Sequence, residues 1–167
     1  MNGSARAEFT EFAHSRWPSL VRLGYGLTGD RGLAEDLAQT TLVNAYASWA
    51  RVRKADDPDA YVRRILVNSF RGGFRRRRVA EELSESPPDS PVADPAGRHD
   101  DRAPVLAAIA ALPPKQREVV LLRFWLDLTE AQAAATLGCS VGNVKSQTAR
   151  ALAKLRVSTE LADWGAK

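Results

Sequence analysis

Apolar side chains recur along this chain at intervals of three and four, without the alternation that marks a sheet. Phe9, Phe12, Trp17, Leu20, Leu23 and Leu27 set the first such run, a spacing that gathers them on one side of an α-helix. Gly29-Asp30 breaks it. A second helix is predicted from about Arg31 to Arg51, with Ala34, Leu37, Thr41, Ala45 and Trp49 along its inner side. A third opens at Asp57-Pro58, where Asp can cap the first turn and Pro suits the first helical position. Its inner stripe is read as Tyr61, Ile65, Leu66, Ser69 and Phe70, with Gly72-Gly73 loosening its end and Arg75–Arg78 closing it. Together these helices predict an N-terminal domain, residues 1–78, large enough for a small core.

The pattern then changes. Residues 79–102 hold Pro87, Pro88, Pro91 and Pro95 among Ser, Asp and Glu, a composition that predicts a flexible linker. A linker of that length has a root-mean-square span of roughly 25–30 Å. Helical periodicity returns over residues 103–158, with a short helix to about Leu112, a stop at Pro113-Pro114 and a second helix through Leu126. Two further helices follow, about Glu130–Leu137 and Val141–Arg156, and a short tail, 159–167, closes the chain. Trp164 in that tail is expected to pack back onto the last helix. The predicted fold is all-α: two small helical domains, an N-terminal bundle and a C-terminal four-helix unit.

The last two helices carry the clearest local signals. Thr129 and Gln132 have the spacing of a capping box, and Leu128 with Ala133 that of a hydrophobic staple. In the turn Gly138-Cys139-Ser140, Gly can end one helix in the left-handed region and Ser can cap the next. Val141, Val144, Thr148, Leu152 and Leu155 then face inward, while Gly142, Asn143, Ser146, Arg150 and Ala153 face outward. Small residues near a helix N-terminus let its backbone enter a major groove, and polar ones reach base edges and phosphates. An ordinary helical hairpin is the plain alternative, but it has no need of both caps, the turn glycine and a two-faced second helix together.

Charge sharpens this picture. Net charge is +6 over residues 1–80, −5 over 81–103 and +3 over 104–167, two basic bodies about an acidic connector, as suits a polyanion-binding protein. On the third helix Arg64, Asn68, Arg71 and Arg75 form a stripe that suits phosphate contact with limited base reading. A solvated charged face is the bland reading, against which stands the lack of interleaved Glu partners. Trp49, Tyr61 and Phe70 border this stripe; one could stack on an unpaired base, although core packing suits Tyr61 and Phe70 better. Cys139 is the sole cysteine, and His14 and His99 lie far from it, so neither a disulfide, a metal site nor a cofactor is expected. No stretch has the length and apolarity of a membrane span. No nucleophile–base pair or phosphate-binding glycine loop argues for an enzyme.

The motifs resemble a known family. Thr28-Gly-Asp followed by Ala34-Glu-Asp-Leu-Ala-Gln39 is similar to the polymerase-binding helix of extracytoplasmic-function sigma factors in the sigma-70 family. Asp57-Pro-Asp-Ala-Tyr-Val-Arg-Arg-Ile-Leu-Val-Asn68, with Arg75–Arg78, resembles that group's helix for the promoter −10 element. Ala111-Leu-Pro-Pro-Lys-Gln-Arg-Glu-Val-Val, then Leu128-Thr-Glu-Ala-Gln and Leu137 through Ser146, resembles its −35-reading domain. The composition resembles actinobacterial members. The resemblance implies a factor that binds core RNA polymerase and directs promoter-specific initiation. Glu35, Asp36, Gln39 and Val43 would meet the clamp helices of the largest polymerase subunit, and the C-terminal domain the flap. Trp49, Lys54, Arg63, Arg64, Asn68, Arg71 and Arg75 would engage the melted −10 strand. Ser140, Gly142, Asn143, Lys145, Ser146 and Arg150 would read the −35 duplex, although Gln147 and Ala149 stand where some members carry a basic and an aromatic residue. An anti-sigma protein is a further partner the family allows, and the free chain would be a cytoplasmic monomer. A stand-alone helix-turn-helix regulator is the alternative, disfavoured by the lack of a sensor domain or a dimerisation seam.

Overall fold

The computed structural model describes residues 2–83 and 103–165, leaving aside the side chains of Phe74, Arg75, Arg78, Glu81, Ala103 and 159–165. Every regular element among the described residues is helical: α1 (Gly3–Thr28), α2 (Arg31–Ala47), α3 (Trp49–Val52), α4 (Pro58–Leu83), α5 (Ala103–Ala110), α6 (Pro114–Val120), a π-helical turn (Leu121–Trp125), α7 (Glu130–Leu137) and α8 (Val141–Gly165). Residues 84–102, most of the predicted linker, and the side chains of Arg75 and Trp164 lie outside the description.

The caps are formed by the residues that signalled them. Asp30 accepts from the Leu33 N–H at 2.8 Å and starts α2, and Asp57 accepts from the Ala60 N–H at 2.9 Å and starts α4. Gly29 and Gly138 end α1 and α7 in the left-handed region, at φ 68° and 67°. The inner face of α2 is Ala34, Ala38, Thr41 and Ala45, all at 0% exposure. These small side chains let α1 and α4 approach closely on either side.

Three expectations are corrected. The second predicted helix breaks at Ser48, and Trp49–Val52 form the separate turn α3, so the N-terminal unit has four helices. The third predicted helix does not end at Arg78: α4 runs unbroken through Gly72 and Gly73 to Leu83, since neither glycine is required to leave helical φ/ψ and the Arg-rich segment after them has good helix propensity. Its buried residues are Ala60, Val62, Leu66 and Val67 rather than one stripe with Tyr61 and Phe70, which are only half-buried. The physical reason is that α4 is packed on two sides, by α1 and α2 of its own half and by α7 of the other. A periodic reading that assumes one solvent-facing side misplaces such a helix.

The C-terminal unit closes around Val119, Leu122, Ala133, Val144 and Ala151. Here α6 runs into one wide π turn, after which the Leu126 N–H reaches the Leu121 carbonyl at 2.9 Å. Asp127 then takes φ 55°. The two units share one continuous core cluster.

Candidate nucleic-acid interface

The helix-turn-helix is assembled as its sequence signals require. Thr129 Oγ1 accepts from the Gln132 N–H at 3.1 Å, and Gln132 Oε1 accepts from the Thr129 N–H at 2.9 Å, which completes the capping box. Ser140 Oγ accepts from the Asn143 N–H at 3.0 Å at the start of α8. Val144 and Ala151 seat α8 on α6 and α7. Ser140, Gly142, Asn143, Lys145, Ser146 and Arg150 are all exposed. Small side chains and free amides therefore surround the N-terminus of a long helix, the end that a duplex can approach most closely. Lys145 is loosely paired with Glu130, Nζ to Oε2 at 3.8 Å. Val141, expected to face inward, is 39% exposed.

On α2, Asp36, Gln39 and Val43 share one open side, with Val43 67% exposed. Glu35 is half-buried and takes a hydrogen bond from Arg31 at 3.3 Å. Tyr46, 41% exposed, continues the same side. It was missed as a candidate although the three-residue step from Val43 points to it. An acidic residue, an amide, the largely exposed Val43 and the part-exposed Tyr46, which packs edge-on against Phe9, make a surface of the kind that protein partners bury.

The basic face of α4 is arranged differently from its expectation. Asn68 is exposed, as are Arg53 and Lys54 in the turn before the helix. Arg63, Arg64 and Arg71, however, are engaged by the C-terminal unit. Arg63 Nε donates to Thr136 Oγ1 at 3.1 Å. Arg64 donates to the carbonyls of Ala135 at 2.6 Å and Thr136 at 3.3 Å. Arg71 makes a two-pronged bond to the Glu118 carboxylate, Nε to Oε1 at 2.8 Å. Burial pushes the Arg63 pKa down, partly offset by Asp57 and Asp59. The hydrogen bond to Glu118 holds that of Arg71 above its ordinary value. Arg16 is likewise raised by its hydrogen bond to Asp59 at the N-terminal end of α4.

Trp49 is a further correction. It is 6% exposed, with ring centroids 5.3 Å from Phe9 and 5.2 Å from Phe12. The long α1 brings two aromatic rings over α3, which meet Trp49 edge-on and tilted and leave it buried in the core. Among the described residues no group of His, Cys, Asp and Glu has the arrangement of a metal site, and no helix is long and apolar enough to cross a membrane.

Comparison with known proteins follows the same division. Residues 14–79 match the family model described as sigma-70 region 2, and residues 102–155 match that described as sigma-70, region 4. The RNA polymerase sigma-E factor of Streptomyces antibioticus is 40% identical over 160 residues, covering 96% of this chain and 89% of that protein. An ECF RNA polymerase sigma factor of Rhodopseudomonas palustris is 33% identical, covering 83% of this chain and 77% of its own. Among solved structures, the sigma factor RpoE of Bartonella quintana, crystallised with the anti-sigma factor NepR, superposes with a TM-score of 0.79 at 26% identity, covering 92% of this chain and 97% of that one. These matches extend over both halves and the connection between them. The chain belongs to the sigma-70 family of RNA polymerase sigma factors, within its extracytoplasmic-function group.

Proposed function

We propose a division of labour within this promoter-recognising sigma factor. The exposed side of α2, with Asp36, Gln39, Val43 and Tyr46, docks on the clamp helices of core RNA polymerase, and the C-terminal unit meets the flap. The turn before α4 and the face of α4 itself (Lys54, Arg63, Arg64, Asn68, Arg71 and Arg75) engage the melted −10 strand. Unstacking a base costs a few kcal/mol, which phosphate contacts from this guanidinium stripe would offset. Ser140, Gly142, Asn143, Lys145, Ser146 and Arg150 on α8 read the −35 element as a duplex. Trp49 has no part in this reading.

The observation that carries it is the helix-turn-helix: a complete capping box, a left-handed glycine turn and a capped α8 whose polar face is open. A stand-alone regulator would need that motif alone, and gives no reason for the docking side of α2. The chain supplies specificity and no catalysis of its own, acts in the cytoplasm as a monomer, and is a candidate for capture by an anti-sigma protein, as the Bartonella sigma factor is by NepR. The test is run-off transcription with purified core polymerase on a promoter the chain serves. The expected result is a promoter-dependent transcript. Failure to bind core polymerase, even with duplex binding intact, overturns the reading.

A further inference from the structure

We propose that Gly72 is a contact point for nucleic acid: its missing side chain leaves a notch in the basic face of α4, where a sugar–phosphate backbone lies directly on the helix between Asn68 and Arg76. The inference rests on the reading of α4 as a nucleic-acid-binding helix, and adds Gly72 and Arg76 to the residues that act there.

A glycine inside a helix destabilises it relative to alanine, so its presence asks for a reason. In α1 the reason is packing. A Cβ on Gly24 would come within 3.0 Å of the Ala34 carbonyl oxygen, and one on Gly26 within 2.6 Å of Leu121 Cδ2. In α4 the described residues supply no such reason. A Cβ on Gly72 would meet only Arg76 Nη2, at 4.0 Å, and one on Gly73 would meet nothing within 4 Å. Neither glycine has a positive φ, and α4 passes through both unbroken. Among the described residues, then, none but the Arg76 guanidinium reaches the space over Gly72.

What surrounds the notch says what it takes. Arg64, Asn68, Gly72 and Arg76 stand four residues apart, one above the next on the helix, and the three with side chains are exposed. From Ala60 to Ala80 the helix carries seven arginines and no acidic residue, which selects a polyanion over a protein surface of mixed charge. With no Cβ in the way, Arg76 folds back over the notch, and its Nε donates to the Gly72 carbonyl at 3.4 Å. That bond is long. A phosphate oxygen is charged and accepts from a guanidinium more strongly than a carbonyl does, so an arriving strand exchanges a weak bond for a better one.

Phosphate contacts fix the register and orientation of a strand and carry no sequence information. Gly72 is in this sense a positioning residue: it sets how deeply the strand sits on α4. Depth matters most to Asn68, whose side chain has the shortest reach of the polar residues on this row. A methyl group at position 72 would hold the strand off the helix and take its bases away from that amide, while the longer arginines could still follow the phosphates.

The test uses the full chain assembled with core polymerase, titrated with a fluorescein-labelled single-stranded oligonucleotide carrying the −10 sequence of a promoter it serves. Gly72→Ala should raise the thermal midpoint of the free chain by about 2–4 °C, through better helix propensity, yet weaken oligonucleotide binding roughly tenfold. Gly73→Ala makes the same change about 100° round the helix; it should gain the same stability and bind as the parent does. Arg76→Ala should flatten the slope of log affinity against log salt by about 0.7, the share of one phosphate of a single strand. A Gly72→Ala chain that gains stability and binds like the parent overturns the proposal. So does a Gly73→Ala chain that loses as much affinity, since stiffening of α4 would then be the cause. A Gly72→Ala chain that loses stability overturns it too, because the fold itself would then need the glycine, and an unchanged salt slope removes Arg76. A parent complex that does not hold the oligonucleotide takes down the reading of α4 itself.

Discussion

Replacing Gly26 by alanine separates closure of the chain, the packing of its two halves on each other, from stability of each half. Gly26 is buried within α1, and a Cβ there would lie 2.6 Å from Leu121 Cδ2, 3.4 Å from Leu121 Cδ1 and 3.4 Å from Trp125 Cδ1. Carbon atoms prefer separations of about 3.5–4.0 Å, so Leu121 must withdraw by roughly an ångström. Leu121 is fully buried, so its side-chain end can move aside only by repacking against the neighbours that cover it. Overpacking of this kind costs about 1–3 kcal/mol, and that cost is felt only when the two halves are together. Alanine also improves α1, by about 1 kcal/mol over glycine in a helix interior, and this gain is present open or closed. The two effects therefore fall on different measurements. Urea denaturation followed by circular dichroism should show the N-terminal half unchanged or slightly stabilised. Small-angle scattering should show the closed population falling, with an equilibrium change of about 5- to 150-fold. An unchanged radius of gyration, alongside the expected gain in stability, would refute the reasoning, because Leu121 would then have yielded at negligible cost.

Other substitutions probe the remaining parts. Arg150→Ala, on the open face of α8, should cost about 1–3 kcal/mol at promoters with a −35 element and much less where that element is scrambled; transcription assays on the promoter pair check this. Asp36→Arg should abolish polymerase binding in a pull-down while leaving duplex binding by α8 intact, and a variant still active with core polymerase would remove α2 as the docking side. Thr129→Ala loses the acceptor for the Gln132 N–H and should lower stability by about 1 kcal/mol, measured as a shift in the denaturation midpoint at unchanged slope.

What could be read from the sequence was whatever the chain decides locally. Asp57, Thr129 with Gln132, and Ser140 each act on an N–H three residues away, so their spacing alone marks where α4, α7 and α8 begin. The candidate residues on α8 were legible for the same reason, being placed by the cap before them and by Val144 and Ala151 beneath. The occupancy of α4 was not legible. Its partners are backbone carbonyls of Ala135 and Thr136, which any sequence supplies, and Glu118, whose neighbours give no hint of a partner 47 residues away. Trp49 was read both as an inner residue of the second helix, where it is indeed buried, and as a candidate for the −10 strand, because nearby Arg51, Arg53 and Lys54 suggested a nucleic-acid surface; the rings that cover it come from α1, some forty residues earlier. The π turn at Leu121–Trp125 lies inside an otherwise ordinary helical pattern and left no mark in the sequence, and Asp127, a residue type that tolerates the left-handed region, was not recognised as a turn position.

The long α4 bears on how the two halves find each other. At 1.5 Å per residue its 26 residues form a rod about 39 Å long, and the covalent path to the other half leaves from its far end. Nineteen residues separate Leu83 from Ala103, enough to bridge at most about 65 Å. Partners tethered at that range meet at effective concentrations on the order of millimolar, whatever the number of molecules in the cell. The self-contact is thus never diluted by low expression nor crowded out by high expression. A competitor for it is therefore measured against a fixed quantity, and the fraction of copies it displaces depends on its own free concentration and affinity.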